Sequence, residues 1–291
     1  MLAFTVQDAM VKSLSEDYAV LQLLVARGIF VLLILVPLAL YLLGTRGLKM
    51  KRPWLMVARG ALSFFAFTSY YIALTVIPLA DGAALFMSAP LFVTAMSMFI
   101  LKEKVGIHRW TAVVIGFSMV LYILNPGSEL FQLIAALPLF SALCYAVIPI
   151  LTRMIGTSEH VVTMTIYLKT TYLVLCLIML GIIHFGGFYN SEGVFFTSIT
   201  LPWKPFDLTD STMISLAGVI FTIALLFITQ AYRIAVVSAV APFEYSLIFW
   251  AGLIGFLAFG DVPSERLIIG SIVIISCGIY ISHREARLAA G

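Results

Sequence analysis

Charge is scarce in this sequence. Aspartate, glutamate, lysine and arginine together make up 11% of the 291 residues, against about 25% in an ordinary soluble domain. So few charges offer no basic surface to the phosphates of a nucleic acid, and the net charge of +3 comes from residues scattered singly. Cysteine is nearly missing as well. Cys144, Cys176 and Cys277 lie in apolar runs with no spacing for a metal or a disulfide framework, and they read as small buried hydrophobes. His108, His160, His184 and His283 fall near the ends of apolar runs and form no ligand set. The sequence contains no G-x-S-x-G, no H-E-x-x-H, no P-loop and no G-x-G-x-x-G. It therefore gives no nucleophile elbow, no zinc-protease pair and no phosphate cradle. No cofactor and no metal are expected. The opening MLAFTVQDAMVK is short, carries Asp8 and does not read as a cleavable leader.

What fills the chain instead is hydrocarbon: 62% of the residues are hydrophobic and the mean hydropathy is +1.10. A water-soluble fold has no place for so much apolar surface, whereas lipid solvates it directly. One spanning helix takes about 20 residues. The chain divides into ten apolar segments, near 1–14, 19–43, 54–77, 80–101, 108–124, 129–152, 160–186, 212–232, 236–259 and 266–282. The first is short for a span, which implies tilt, capping by neighbours, or further residues ahead of it. Gly44-Thr45-Arg46-Gly47 closes the second segment. Pro78 and Asp81 part the third from the fourth, with Asp81 expected as an N-cap, and Asn125-Pro126-Gly127 turns after the fifth. The one long connection, 187–211, carries Phe188, Tyr189, Phe195, Phe196, Trp203 and Phe206. Such residues favour the membrane interface, so it reads as an external loop on the membrane surface, or as a lid over the substrate path.

Positive charge fixes an orientation. With the N-terminus inside, the cytoplasmic connections hold Arg46, Lys49, Lys51, Arg52, Lys102, Lys104, Arg109, Arg153, Arg233, Arg284 and Arg287. The outer ones hold only Lys12, Lys204 and Arg266. Both termini are then expected in the cytoplasm, in a multi-pass protein of a bacterial-type inner membrane.

The sequence also repeats itself. Glu103 and Asp261 each end an apolar run, 158 residues apart, and Tyr122 and Tyr280 are separated by the same 158. Each acid is followed by a short polar link with an arginine, Arg109 or Arg266, and then by a glycine-containing segment. Five segments per half is an odd number, so the second half must insert upside down relative to the first. Arg27-Gly28, PLADGAALFMSAPLF (78–92), LKEK (101–104) and APFEYSLIFWAGLIGFLAFGDVP (241–263) resemble the drug/metabolite transporter superfamily, in particular its ten-helix EamA-type members. The resemblance implies an all-α membrane fold with a five-plus-five inverted repeat. The first repeat would cover 1–124, the second 129–282, and 283–291 would be a cytoplasmic tail. It also implies a central cavity lined by the first, third, fourth, sixth, eighth and ninth helices, and transport by alternating access. Members of the superfamily carry amino acids, nucleotide-like compounds, vitamins, sugars and S-adenosylmethionine.

An ionisable group at membrane depth costs about 2.5–3.5 kcal/mol on insertion scales, so it needs a partner or a task. Glu244 sits roughly two turns into the ninth segment, between Pro242-Phe243 and Tyr245. It either lines a polar cavity or is a buried acid paired for packing. Arg27 and Lys169 either meet a substrate carboxylate or pair within the protein. Asp8, beside Gln7, either couples a cation or proton or pairs with Lys12 at i+4. Arg59 reads as snorkelling to the cytoplasmic face or capping a contact there. Tyr70, Tyr71, Tyr145, Tyr245 and Trp250 fall in the expected cavity helices, where their rings would stack on a substrate or meet a cation. Ser88 and Gln230 are candidate polar contacts. Pro90, Pro138, Pro149 and Pro242 interrupt helices at depth.

Three functional classes follow. The leading one is a monomeric secondary transporter among membrane lipids, moving a small-molecule substrate: an amino acid or related zwitterionic, cationic or aromatic compound, with coupling to a proton as an option. The alternative cargo is vitamin- or nucleoside-like, or of the S-adenosylmethionine type. An intramembrane lipid-modifying enzyme would need a clustered nucleophile or metal set, and a channel a ring of like polar residues. The sequence offers neither. Cysteines placed in 187–211 and in the C-terminal tail are expected to react with an impermeant maleimide from opposite sides of the membrane; labelling of both from one side would overturn the threading.

Overall fold

The structure, a computed structural model, describes residues 1–45, 49–100, 107–124, 136–186, 199–235, 240 and 243–290. Among these residues every regular element is a helix. They are α1 (Leu2–Leu14), α2 (Val20–Leu43), α3 (Pro53–Leu74), α4 (Leu79–Phe86), α5 (Ala89–Ile100), α6 (Ile107–Leu124), α7 (Leu137–Ile155), α8 (Val161–Phe185), α9 (Leu208–Ile234), α10 (Ser246–Phe259) and α11 (Glu265–Ala290). A short 3₁₀ turn, Gly156–Ser158, follows α7. Helices α4 and α5 are two pieces of one broken segment, so the eleven helices make ten segments, as the hydropathy pattern implies. Five of them, α2, α3, α7 with its 3₁₀ turn, α8 and α9, are long and apolar enough to cross a bilayer. Their outer faces are bare hydrocarbon. Leu33, Ile182 and Phe227, with Phe249 and Leu257 on the shorter α10, stand exposed, and lipid accommodates that surface where water would not.

The break in the fourth segment has a local cause. Pro90 has no N–H, so the carbonyl of Phe86, four residues back, loses its helical donor. The chain tightens there: the N–H of Ser88 bonds the carbonyl of Leu85 at 3.1 Å and that of Leu91 bonds Ser88 at 3.0 Å. Other helix ends are set by side chains. The Asp207 carboxylate accepts the N–H of Asp210 at 2.7 Å and caps α9. Gly260, at φ +71°, ends α10 in the left-handed region that glycine enters without strain. Asp81 is the third residue of α4, in its first turn, and not at the expected cap; Pro78 holds that position. Helix α7 starts at Leu137, the expected start at 129 lying outside the described residues, and α11 runs on to Ala290, beyond the expected end at 282. The LKEK stretch, Arg46-Gly47, Asn125-Pro126-Gly127, residues 187–198 of the 187–211 connection and Pro242 lie outside the described residues.

The pattern of touching helices carries the internal symmetry. Adding five to a segment's place turns the third–sixth contact into eighth–first, third–seventh into eighth–second, and fourth–sixth into ninth–first, and all of these occur. The second–seventh, fourth–ninth and fifth–tenth pairs, which map onto themselves, occur too. Two glycines mark the equivalence. A Cβ on Gly60 of α3 would lie 2.4 Å from Thr171 Cβ of α8, and one on Gly218 of α9 would lie 2.9 Å from Phe30 Cβ of α2. Gly60 and Gly218 are 158 residues apart, the same offset as the acid pair and the tyrosine pair. At both crossings the backbones approach too closely for any side chain. Gly60→Ala and Gly218→Ala are each expected to destabilise the protein by about 1–3 kcal/mol through overpacking, measured as a lower melting temperature in detergent. Thr171→Gly added to Gly60→Ala should return part of the loss.

Candidate functional site

Helix α1 is short and lies in the middle of the bundle, against α9, α10 and α3. One face of it, with Phe4, Gln7 and Asp8, looks into a cavity of about 470 Å³. Phe67 and Tyr70 of α3, Tyr145 of α7, and Leu247 of α10 complete the wall with Glu244. The break in the fourth segment contributes Phe86 and Met87, so the proline interruption delivers two side chains to the cavity. The rings form a connected set: Phe86 lies 5.0 Å from Tyr145 and 5.3 Å from Tyr70, and Phe67 lies 6.2 Å from Tyr145, all tilted or edge-to-face. These are the packing modes aromatic quadrupoles prefer.

Two carboxylates enter this apolar box. Glu244 is 2% exposed; the Tyr145 hydroxyl donates to its Oε1 at 2.6 Å, and the Tyr232 hydroxyl donates to it from α9. Its hydrogen-bond partners among the described residues are therefore neutral phenols, and the α-ammonium of Met1, which lines the same cavity, acts on it electrostatically. Asp8 sits in a denser network. The Tyr71 hydroxyl and the Gln7 amide donate to its Oδ1. Arg27 Nη1 donates to Gln7 Oε1 and to the Tyr71 oxygen, the latter at 2.6 Å. The guanidinium lies over the rings of Tyr71 and Phe221, at 4.8 and 4.5 Å from their centroids. Arg27 thus acts on Asp8 through Gln7 and Tyr71. Lys169, also buried, rests its ammonium over Phe221 at 4.1 Å and Tyr172 at 4.6 Å. Phe221 thus meets two cations, in desolvated surroundings where a single cation–π contact is worth about 2 kcal/mol.

Lys12 does not reach back to Asp8. Its ammonium donates to the carbonyls of Leu74 and Ile77, at 2.7 Å each, and lies 5.6 Å from the ring of Phe259. Asp261, Glu16 and Asp81 act on it electrostatically. This clasp ties the C-terminal ends of α1, α3 and α10 to the start of α4. Nearby, Tyr18 donates to Asp210 at 2.6 Å, Gln22 donates to the Lys204 carbonyl, and Lys204 pairs with Asp17 at 3.3 Å. The described end of the long connection is thus tied to the turn between α1 and α2.

The remaining sequence candidates lie elsewhere. Tyr245 turns its ring against Gly278 of α11. Ser88 spends its hydroxyl on the Leu85 carbonyl at 2.7 Å. Gln230 accepts from Arg233 at 3.1 Å, and Trp250 is half-buried beside Phe249. Arg59 does not snorkel: it is 1% exposed. Sequence reasoning passed over Phe4, Phe67, Phe86, Met87 and Tyr232. For Phe86 and Met87 the signal was present in Pro90. The others carry no mark that separates them from dozens of packed aromatics.

Residues 1–125 match the EamA-like transporter family. Over 288 residues the chain is 23% identical to the S-adenosylmethionine uptake transporter of Rickettsia prowazekii (strain Madrid E), covering 97% of this chain and 90% of that protein. It is 29% identical over 246 residues to the riboflavin transporter of Rhizobium johnstonii (strain DSM 114642 / LMG 32736 / 3841), covering 84% and 75%. A solved crystal structure of a protein 16% identical in sequence superposes with a TM-score of 0.64 over 99% of this chain and 97% of its own, a likeness of fold alone.

The Arg27–Tyr71 contact is buried and charge-assisted. A double-mutant cycle of Arg27→Leu and Tyr71→Phe, read by detergent melting, is expected to return a coupling of about 0.5–3 kcal/mol. Additive losses would mean that the two side chains do not act together.

Proposed function

We propose that this chain, which belongs to the EamA-like transporter family through residues 1–125, carries a flat-ringed cationic metabolite of the S-adenosylmethionine kind across the membrane by alternating access. The observation that carries this reading is the chemistry of the 470 Å³ cavity, where the carboxylates of Asp8 and Glu244 stand among Phe67, Tyr70, Phe86 and Tyr145. Rings offer a stacking face to a planar base and a negative face to a cation. A carboxylate hydrogen-bonded by phenols alone keeps its charge available to a positive group of the cargo. The acids come from opposite halves, Asp8 on the first segment and Glu244 at the ninth, so a cargo bound to both would bridge the parts that rock against each other. The Lys12 clasp closes the end of the bundle where α1, α3 and α10 finish. Its release on rocking would open that side.

A transporter of this kind moves its cargo without covalent chemistry. The names of the relatives weigh toward an S-adenosylmethionine-like or vitamin-like solute over a free amino acid, which would leave the rings without a partner. A riboflavin-type cargo is the second reading, favoured by the same rings but giving the two acids no charge to neutralise. Asp8 and Glu244 are also the candidates for carrying a coupled proton, and the protein is taken to work as a monomer with both termini cytoplasmic.

Purified protein in liposomes is expected to take up labelled S-adenosylmethionine with saturation. Glu244→Gln should lower the initial rate at least about tenfold, the loss of one charge-assisted contact, while the melting temperature holds. Normal uptake by that variant would remove Glu244 from the mechanism. Saturable uptake of riboflavin with none of S-adenosylmethionine would put the second reading in place of the first.

A further inference from the structure

A second cavity, of about 440 Å³, shares Phe4, Phe67 and Tyr145 with the first and is lined further on by Arg59, Ser63, Thr152 and Thr229. Arg59 is 1% exposed, two turns inside α3. Its Nη1 reaches one acceptor, the Met164 carbonyl, at 3.4 Å, and its Nε has none. No carboxylate among the described residues acts on it. Ser63, four residues on and so on the same face of α3, is fully buried with an unpartnered hydroxyl. Both residues line the same cavity. Arg27 leaves Nε and Nη2 unpartnered but has two aromatic faces and two acceptors on Nη1, and Lys169 has two rings; among the described residues Arg59 has one long hydrogen bond. A guanidinium kept at this depth with its Nε unpartnered and one long hydrogen bond from Nη1 is costly, and the shape of its donors matches a carboxylate.

We propose that Arg59 and Ser63 form an anion subsite that takes the carboxylate of the cargo. The site as a whole is then bipolar. Asp8 and Glu244 hold the positive part and the ring, and Arg59 holds the negative part on the far side of Tyr145. This deepens the transport reading above and rests on it for the nature of the cargo. It also sorts the candidates, because S-adenosylmethionine carries a carboxylate and riboflavin does not.

The test compares affinities of protein in nanodiscs for S-adenosylmethionine and for its decarboxylated analogue, which keeps ring, sulfonium and amine. The wild type is expected to bind the carboxylate-bearing form at least about tenfold more tightly, as a charge-assisted pair implies. Arg59→Gln should abolish that preference while leaving the affinity for the analogue unchanged. Equal wild-type affinities, or an equal loss of both ligands in Arg59→Gln, would overturn the subsite. A second measurement does not depend on the cargo. Modification of Arg59 by phenylglyoxal, read by mass spectrometry, should be slowed by L-methionine and not by methioninol. Protection of this kind supports the subsite even if S-adenosylmethionine fails to bind, in which case the cargo assignment alone falls. Lack of protection overturns the subsite.

Discussion

The guanidinium of Arg27 sets the terms for the centre of this protein. It lies in a medium without water, so every favourable contact it makes must come from another helix. It finds them in the Gln7 carbonyl, the Tyr71 hydroxyl and the faces of Tyr71 and Phe221. Those partners belong to α1, α3 and α9, while Arg27 itself belongs to α2. One buried charge therefore fixes the place of a short helix that has too few residues to hold itself by lipid contact. With α1 fixed, Phe4, Gln7 and Asp8 face inward and the cavity has a wall.

The rest of the architecture follows from paired crossings. Where α3 passes α8 and α9 passes α2, glycines separated by the repeat offset let the backbones close up. Where the fourth segment passes the ninth, the chain is broken instead of smooth, because Pro90 withholds a donor. Tight crossings suit surfaces that rock as rigid bodies, and the break puts aromatic side chains between them. Packing and cavity thus come from one rule applied twice, with the second copy inverted.

Much of this was legible in the residues. The segments could be read because hydrocarbon runs of spanning length are punctuated by glycine, proline and aspartate. The offset of 158 could be read from two residue pairs before any contact was known. Glu244 stood out because a carboxylate inside such a run needs a reason. Side-chain direction was less legible. Helix α10, Ser246–Phe259, is apolar around its whole circumference, so spacing points to no face. Tyr245 and Trp250 looked as suited to the cavity as Tyr145, yet one packs on Gly278 and the other is half-buried beside Phe249. Arg59 shows the same limit. Its depth could be counted from the start of its helix, but whether a long side chain reaches the surface depends on neighbours more than a hundred residues away, such as Met164.

The Lys12 clasp has an electrical consequence. The charge of Asp261 bears on Asp81, and the Lys12 ammonium offsets that repulsion. Were α1 to withdraw the ammonium, as the proposed rocking requires, the two carboxylates would lose that offset. Their repulsion would oppose reclosing, and it would weaken as dissolved ions crowd in. The latch would then also be a spring, whose stiffness is set by the salt of the compartment it faces.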